Sequence, residues 1–241
     1  MSKPQPRIEE ILPLSPFQEG LYFHAGYDRD APDAYNVQYL LDLEGALDPG
    51  LLREAARLVL HRHSSLRTSY RQRSNGETVQ IVQSAANLSF TELDLSAKPE
   101  REREQELAAF LGAERTRRFD LGRAPLIRFA LVRLTEDRHC LALMNHHILL
   151  DGWSMPILLQ ELFTHYASGS TSADEDIRPA AGQYRDYLGW LAEQDREAAE
   201  RAWRTYLDGL SEGTFVLPDG ETGSTAEPAR VTLTLDEEQL S

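Results

Sequence analysis

The sequence has a single cysteine, Cys140, in 241 residues. A lone thiol cannot build an internal disulfide framework and fits a reducing compartment, so a cytoplasmic location is expected. Lysine is nearly missing too: Lys3 and Lys98 stand against 23 arginines. That bias is read as host codon composition rather than as a guanidinium-specific function. No apolar run exceeds five residues. A membrane span needs about 20 and the apolar region of an export signal about 7–15, so no membrane partner is expected. Positive charge is in deficit, with 25 Lys and Arg against 39 Asp and Glu, a net −14 with neutral histidines. Phosphate backbones are bound by clustered cations that release counterions, and scattered, outnumbered cations argue against a nucleic-acid partner. At roughly 150 residues per domain, the length allows one large domain or two small ones. A chain of this size buries about 70% of its unfolded surface and needs no disulfide or metal to fold.

What is present alternates between helical and extended patterns. Residues 1–10, with Pro4 and Pro6, read as a tail or incoming linker. In Tyr35–Leu43 the odd positions are all apolar, the mark of a half-buried strand. Asp48-Pro49 supplies an N-cap and first-turn proline for a helix to about His61, with Leu52, Ala55 and Val59 on one face. A hairpin is expected to turn at Ser74-Asn75-Gly76. Further helices are expected over Ser96–Arg118, from Ser154 to Ala167, and as one long element from Gln183 to Leu210. Strands are expected near Leu126–Leu134 and His139–His146. Ser211–Pro228 reads as a linker, Arg230–Leu235 as a strand, and Asp236–Leu240 as the first turn of another helix. The fold class is therefore α/β (α+β), a mixed β-sheet flanked by helices. Because Ser241 falls where an element begins, the chain is expected to be part of something longer.

The chemistry is concentrated in His146-His147-Ile148-Leu149-Leu150-Asp151-Gly152. Neighbours on a strand face opposite sides, so one imidazole enters the packing and the other can meet a cleft; periodicity leaves open which. The strand end, the Asp-Gly turn and a helix start follow within a few residues, a place where backbone N–H groups converge. The adjacent histidines lack the spacing of a helical zinc site and no cysteine cluster accompanies them, so no metal is expected. No Gly-x-Ser-x-Gly elbow supports a serine hydrolase.

This run matches the HHxxxDG signature of the chloramphenicol acetyltransferase-like superfamily, and its surroundings resemble the condensation domains of nonribosomal peptide synthetases. Leu14–Tyr22 resembles the opening motif of that family, Arg62–Tyr70 its RHExLRTxF, and Tyr184–Trp190 with Trp203 the motif after the active site. Ser64 replaces the usual acid of the second motif. Pro16–Gly20 and Leu149-Leu150 are similar to the subgroup taking a donor with a D-configured C-terminal residue.

The resemblance implies a V of two lobes. Residues 11–210 would form the N-terminal lobe, 211–228 the inter-lobe linker and 229–241 the start of the C-terminal lobe. It implies peptide-bond formation between carrier-bound donor and acceptor thioesters, antibiotic or siderophore synthesis being typical. No cofactor is bound directly, since the substrates ride on phosphopantetheine. Expected partners are the two peptidyl carrier proteins, the other lobe and an adenylation domain, and the anionic arm suggests a local basic patch. His147 is the implied catalytic residue. His146, Asp151, Gly152, Arg62 and Arg67 are implied structural residues, Asp151 pairing with one of those arginines. Gly152 is expected to admit the thioester, with nearby N–H groups available to its oxyanion. Trp153 and Trp203 are read as core packing ahead of substrate contact, and Ser154 as a helix cap. A non-catalytic docking lobe and a free-standing acyltransferase with a small acceptor are the alternatives.

Overall fold

A computed structural model describes residues 7–27, 33–169 and 182–212. These fall into two compact units, one reaching to Gln194 and one starting at Asp195. The expected strand at Arg230–Leu235, the helix start after it, and the linker from residue 213 onward lie outside the described residues, as does most of the loop at 168–181.

The first unit is built on a four-stranded mixed sheet of β2 (Asn36–Glu44), β7 (Arg138–His146), β6 (Ile127–Arg133) and β5 (Phe90–Asp94), in that spatial order. Only the β5–β6 pair is parallel. Helices α2 (Pro49–Arg62) and α4 (Ser154–Ser168) cover one face: Leu52, Ala55, Val59, Leu158 and Leu162 pack on Phe129, Leu141 and Leu143. Helix α3 (Glu100–Thr116) covers the other through Phe110 and Leu111, which lie against Ala130, Ala142 and Met144. Strand β7 is buried on both faces, which is why Cys140–Met144 is apolar without alternation. A separate three-stranded antiparallel sheet, β1 (Ile8–Pro13), β4 (Thr78–Gln83) and β3 (Thr68–Gln72), carries the hairpin, whose Gly76 takes φ +86° in the turn.

Two expectations are corrected. Ile8-Glu9-Glu10 belong to an edge strand paired with β4 rather than to a tail. Its side chains are mostly exposed, so it carries no apolar alternation that could mark it. The single helix expected from Gln183 to Leu210 is two, α5 (Tyr184–Ala192) and α6 (Arg196–Tyr206). Asp195 ends the continuity: its carboxylate accepts the Ala198 N–H at 2.8 Å and starts a new helix.

Candidate active site

At the end of β7 the two histidines part. His146 is fully buried. Its Nδ1 accepts the Ile148 N–H at 3.1 Å, which assigns the ring proton to Nε2. Nε2 lies 3.4 Å from Asp33 Oδ2, an ion-pair distance rather than a well-aligned hydrogen bond. The Asp33 side chain is 3% exposed and has Arg118 at 3.8 Å. Burial opposes charge on Asp33, but the His146 ring, the Tyr35 N–H and Arg118 outweigh it and hold its carboxyl below the usual range. His147 leaves the strand half-buried, its N–H donated to the Tyr35 carbonyl at 2.8 Å. Its Nδ1 is 2.8 Å from the Leu150 carbonyl. A carbonyl only accepts, so Nδ1 carries the proton and Nε2 keeps a lone pair. His146 thus enters the packing, and His147 lines a cleft of about 750 Å³.

Five segments build that cleft. Ser15 and Phe17, at the start of helix α1 (Pro16–Tyr27), open it, and the short 3₁₀ turn that follows α2 adds His63 and Leu66. The loop after β7 follows, and α5 contributes Tyr184 and Tyr187. Helix α4 contributes Ser154, Ile157, Leu158 and Glu161, whose three- and four-residue spacing is one helix face. Glu161 on the wall holds two neighbours, with His63 Nε2 2.6 Å from its Oε2 and Arg62 Nε 3.3 Å from its Oε1.

The implied pairing of Asp151 with Arg62 or Arg67 is not what the structure has. Arg62 meets Glu161, and Arg67 meets Glu9 at 2.9 Å and the Gln83 carbonyl. Asp151 instead accepts the Ser154 N–H at 2.8 Å and the Ser154 hydroxyl at 2.7 Å. The Ser154 hydroxyl foremost, with the Ser154 and Trp153 N–H groups, holds the Asp151 carboxyl below its usual range against partial burial. The cause is position: a carboxylate three residues before a helix start meets the unpaired N–H groups there, while each arginine has a nearer acid. Trp153 occupies the N-cap position without a side-chain bond of its own, and the capping acceptor is the Asp151 carboxylate from two residues further out, with Ser154 as its ligand rather than the cap itself. These N–H groups are already taken, so they do not form a ready oxyanion site. Asp151→Ala should cost about 1 kcal/mol, the usual loss of a helix cap, rather than the larger cost of a broken buried ion pair. Chemical denaturation checks this, and a loss of several kcal/mol would contradict the capping role.

The tryptophans are corrected as well. Trp153 is 87% exposed beside the cleft and Trp203, on α6 of the second unit, is 63% exposed, so neither packs in a core. A Cβ on Gly152 would meet nothing within 4 Å, so among the described residues no contact demands glycine there. Several exposed arginines sit beside acids, as in Arg53–Glu92, Arg73–Glu77 and Arg117–Glu114.

Sequence reasoning gave no role to Gln18, Tyr70, His63, Glu161 or Tyr184. Gln18 had a legible signal. Ser15-Pro16-Phe17-Gln18 is a capping box, with Ser15 Oγ accepting the Gln18 N–H at 3.2 Å and Gln18 Oε1 accepting the Ser15 N–H at 3.1 Å. The others are joined only by the fold.

Among the described residues no helix is long and apolar enough to cross a membrane, and no group of acids, histidines or cysteines is arranged to hold a metal. The fold is similar to a solved starter condensation domain of rhizomide synthetase RzmA, with a TM-score of 0.72 at 21% identity, covering 85% of this chain and 49% of that one. Curated relatives include a linear gramicidin synthase from Brevibacillus parabrevis, 37% identical over 91% of this chain. Bacitracin synthase 3 of Bacillus licheniformis is 38% identical over 85%. The chain spans 3% of each synthase and about half of the solved domain. The condensation-domain family model matches residues 8–241, nearly the whole sequence, and the chain belongs to the condensation-domain family of the nonribosomal peptide synthetases.

Proposed function

We propose that this chain is the N-terminal lobe of a domain that forms an amide bond between two carrier-bound thioesters. The α-amine of an acceptor aminoacyl group attacks the carbonyl of a donor peptidyl or aminoacyl thioester, and the donor's carrier thiol leaves. The observation that carries this reading is His147, held on the cleft wall with Nδ1–H committed to the Leu150 carbonyl and Nε2 left as a base. An α-amine has a pKa of about 7.7–8.0, so part of it is neutral near pH 7 and a strong base is unnecessary. His147 Nε2 accepts the amine's hydrogen bond or its proton as the C–N bond forms. Both substrates arrive on phosphopantetheine arms of donor and acceptor peptidyl carrier proteins, and a C-terminal lobe closes the other side of the cleft.

The finer reading is a donor with a D-configured C-terminal residue. It rests on Pro16–Gly20 and Leu149-Leu150, and Phe17, Leu149 and Leu150 all line the cleft.

The test is the complete domain supplied with loaded carrier proteins, followed by intact-mass detection of the acceptor carrier. A mass gain equal to the donor acyl group supports amide formation. Faster condensation of the D-configured donor than of its L-epimer supports the finer reading, and equal or reversed rates refute it. Acylation of a free amine from a coenzyme A thioester, with none between carriers, would establish a free-standing acyltransferase instead. Carrier binding without any acyl transfer would establish a docking lobe.

A further inference from the structure

Ile148, the residue after His147, has both of its backbone polar groups held by buried side chains, its carbonyl by two from distant elements. Its N–H goes to His146 Nδ1 at 3.1 Å. Its carbonyl accepts from Gln18 Nε2 at 3.3 Å, from α1, and from the Tyr70 hydroxyl at 3.2 Å, from β3. Gln18 also donates to the Tyr70 oxygen at 3.1 Å, while its own oxygen accepts from Ser15 N–H at 3.1 Å and Gln80 Nε2 at 3.4 Å. Gln18 and Tyr70 are 7% and 2% exposed, and neither carries a charge that needs neutralising. Burial raises the Tyr70 pKa, so its hydroxyl stays a donor at any working pH. An ordinary surface turn would satisfy the Ile148 carbonyl with water. Two buried side chains on one carbonyl fix a single peptide, because an unmet buried carbonyl is costly.

We propose that Gln18 and Tyr70 form a clasp on the Ile148 carbonyl and are positioning residues for His147. The proposal rests on the catalytic role proposed for His147. The chain at Ile148 is immobilised from both sides, with His146 on the N–H and the clasp on the carbonyl. The His147 ring is then aimed by its Nδ1–H bond to Leu150 two residues further on. Released from the clasp, Ile148 can rotate, the Leu150 bond loses its fixed geometry, and Nε2 no longer sits in line with the amine. A misplacement of about 1 Å can cost about 10²-fold in rate, so two modest bonds control a large effect.

The arrangement makes a distinctive kinetic prediction. Tyr70→Phe and Gln18→Met each leave the carbonyl one donor, and each should lower kcat by about 3- to 5-fold with KM little changed. The double variant leaves none and should lose about 10²-fold or more, beyond the product of the singles. His147→Ala is assayed beside them in the complete domain with carrier-bound substrates, and melting is followed throughout. In parallel, long-range proton–nitrogen spectra of the His147 ring, assigned by their loss in His147→Ala, read the tautomer without reference to activity. The expected result is a single Nδ1–H tautomer in the wild type and a mixture in the double variant. Losses in kcat that merely multiply, or a ring that keeps one tautomer in the folded double variant, overturn the clasp. Full activity of His147→Ala would instead overturn the catalytic reading itself. Should the double variant not fold, the Tyr70→Phe ring spectrum decides, and one identical to wild type overturns the proposal.

Discussion

Replacing His147 by alanine should lower amide formation by about 10²–10⁴-fold, the range of a positioned proton acceptor, with both loaded carriers still bound. The expected loss is in rate rather than in folding. His147 is half-buried and lies just beyond the last residue of β7, and its removal frees only the Leu150 carbonyl at the cleft wall. Melting should therefore move by no more than about 2–4 °C, the equivalent of roughly 1 kcal/mol in a chain of this size. His147→Gln separates two contributions. A glutamine oxygen can accept a hydrogen bond from the amine but does not take its proton near pH 7. Recovery by about tenfold over alanine would assign most of the effect to orientation, and no recovery would assign it to proton removal. Single-turnover product formation with saturating carriers is the measurement, and wild-type rates in His147→Ala would end the catalytic assignment.

The neighbouring histidine should behave in the opposite way. His146→Ala is expected to cost about 3–5 kcal/mol, the scale of a large buried side chain removed together with its hydrogen bonds. Three losses act together. The fully buried ring leaves a void, the Ile148 N–H loses its acceptor, and the Asp33 carboxylate keeps only Arg118 and the Tyr35 N–H. At about 2–4 °C per kcal/mol for this size, melting should fall by roughly 6–20 °C. Activity lost in this variant should return in proportion to the folded fraction at lower temperature, unlike that of His147→Ala.

The pair also predicts a pH dependence. The carboxyl of folded Asp33 lies below its ordinary value, so the unfolded chain binds the extra proton first. The stabilisation is fully present above the unfolded pKa of about 3.9 and is lost as the pH falls through the lower folded value. His146→Ala removes part of that depression, so the stability difference between wild type and variant should shrink as the pH drops below about 4. Denaturation at pH 7 and at pH 3.5 measures it. A cost below about 1 kcal/mol at pH 7 would show that Asp33 and His146 are neighbours of little consequence.

Legibility of the site varies with the range of the interaction. Strand β2 announces itself by alternation, α2 by its Asp48-Pro49 start and apolar spacing, and α4 by the spacing of Leu158 and Leu162, because each pattern reports burial against a neighbour within one element. Strands β1 and β5 leave no such mark. Each is short, lies at a sheet edge and buries little, so its identity comes from a partner strand far away in sequence. The break between α5 and α6 is hidden because Asp195 fits an exposed helix surface as readily as it fits a cap. Asp151 is ambiguous for a related reason. Its sequence neighbourhood offers arginines by resemblance and Ser154 by proximity, and only the conformation of the turn decides between them.

The class of the fold and the family could both be read from the amino acids in order. Those depend on local periodicity and on motif residues adjacent along the chain. Folding was needed to settle which histidine faces the cleft, that Glu161 rather than Asp151 meets Arg62, and that Gln18 and Tyr70 converge on one carbonyl. A hydrogen bond or ion pair goes to whichever partner the packing brings within about 3 Å, and for Gln18 and Ile148 that partner is 130 residues away.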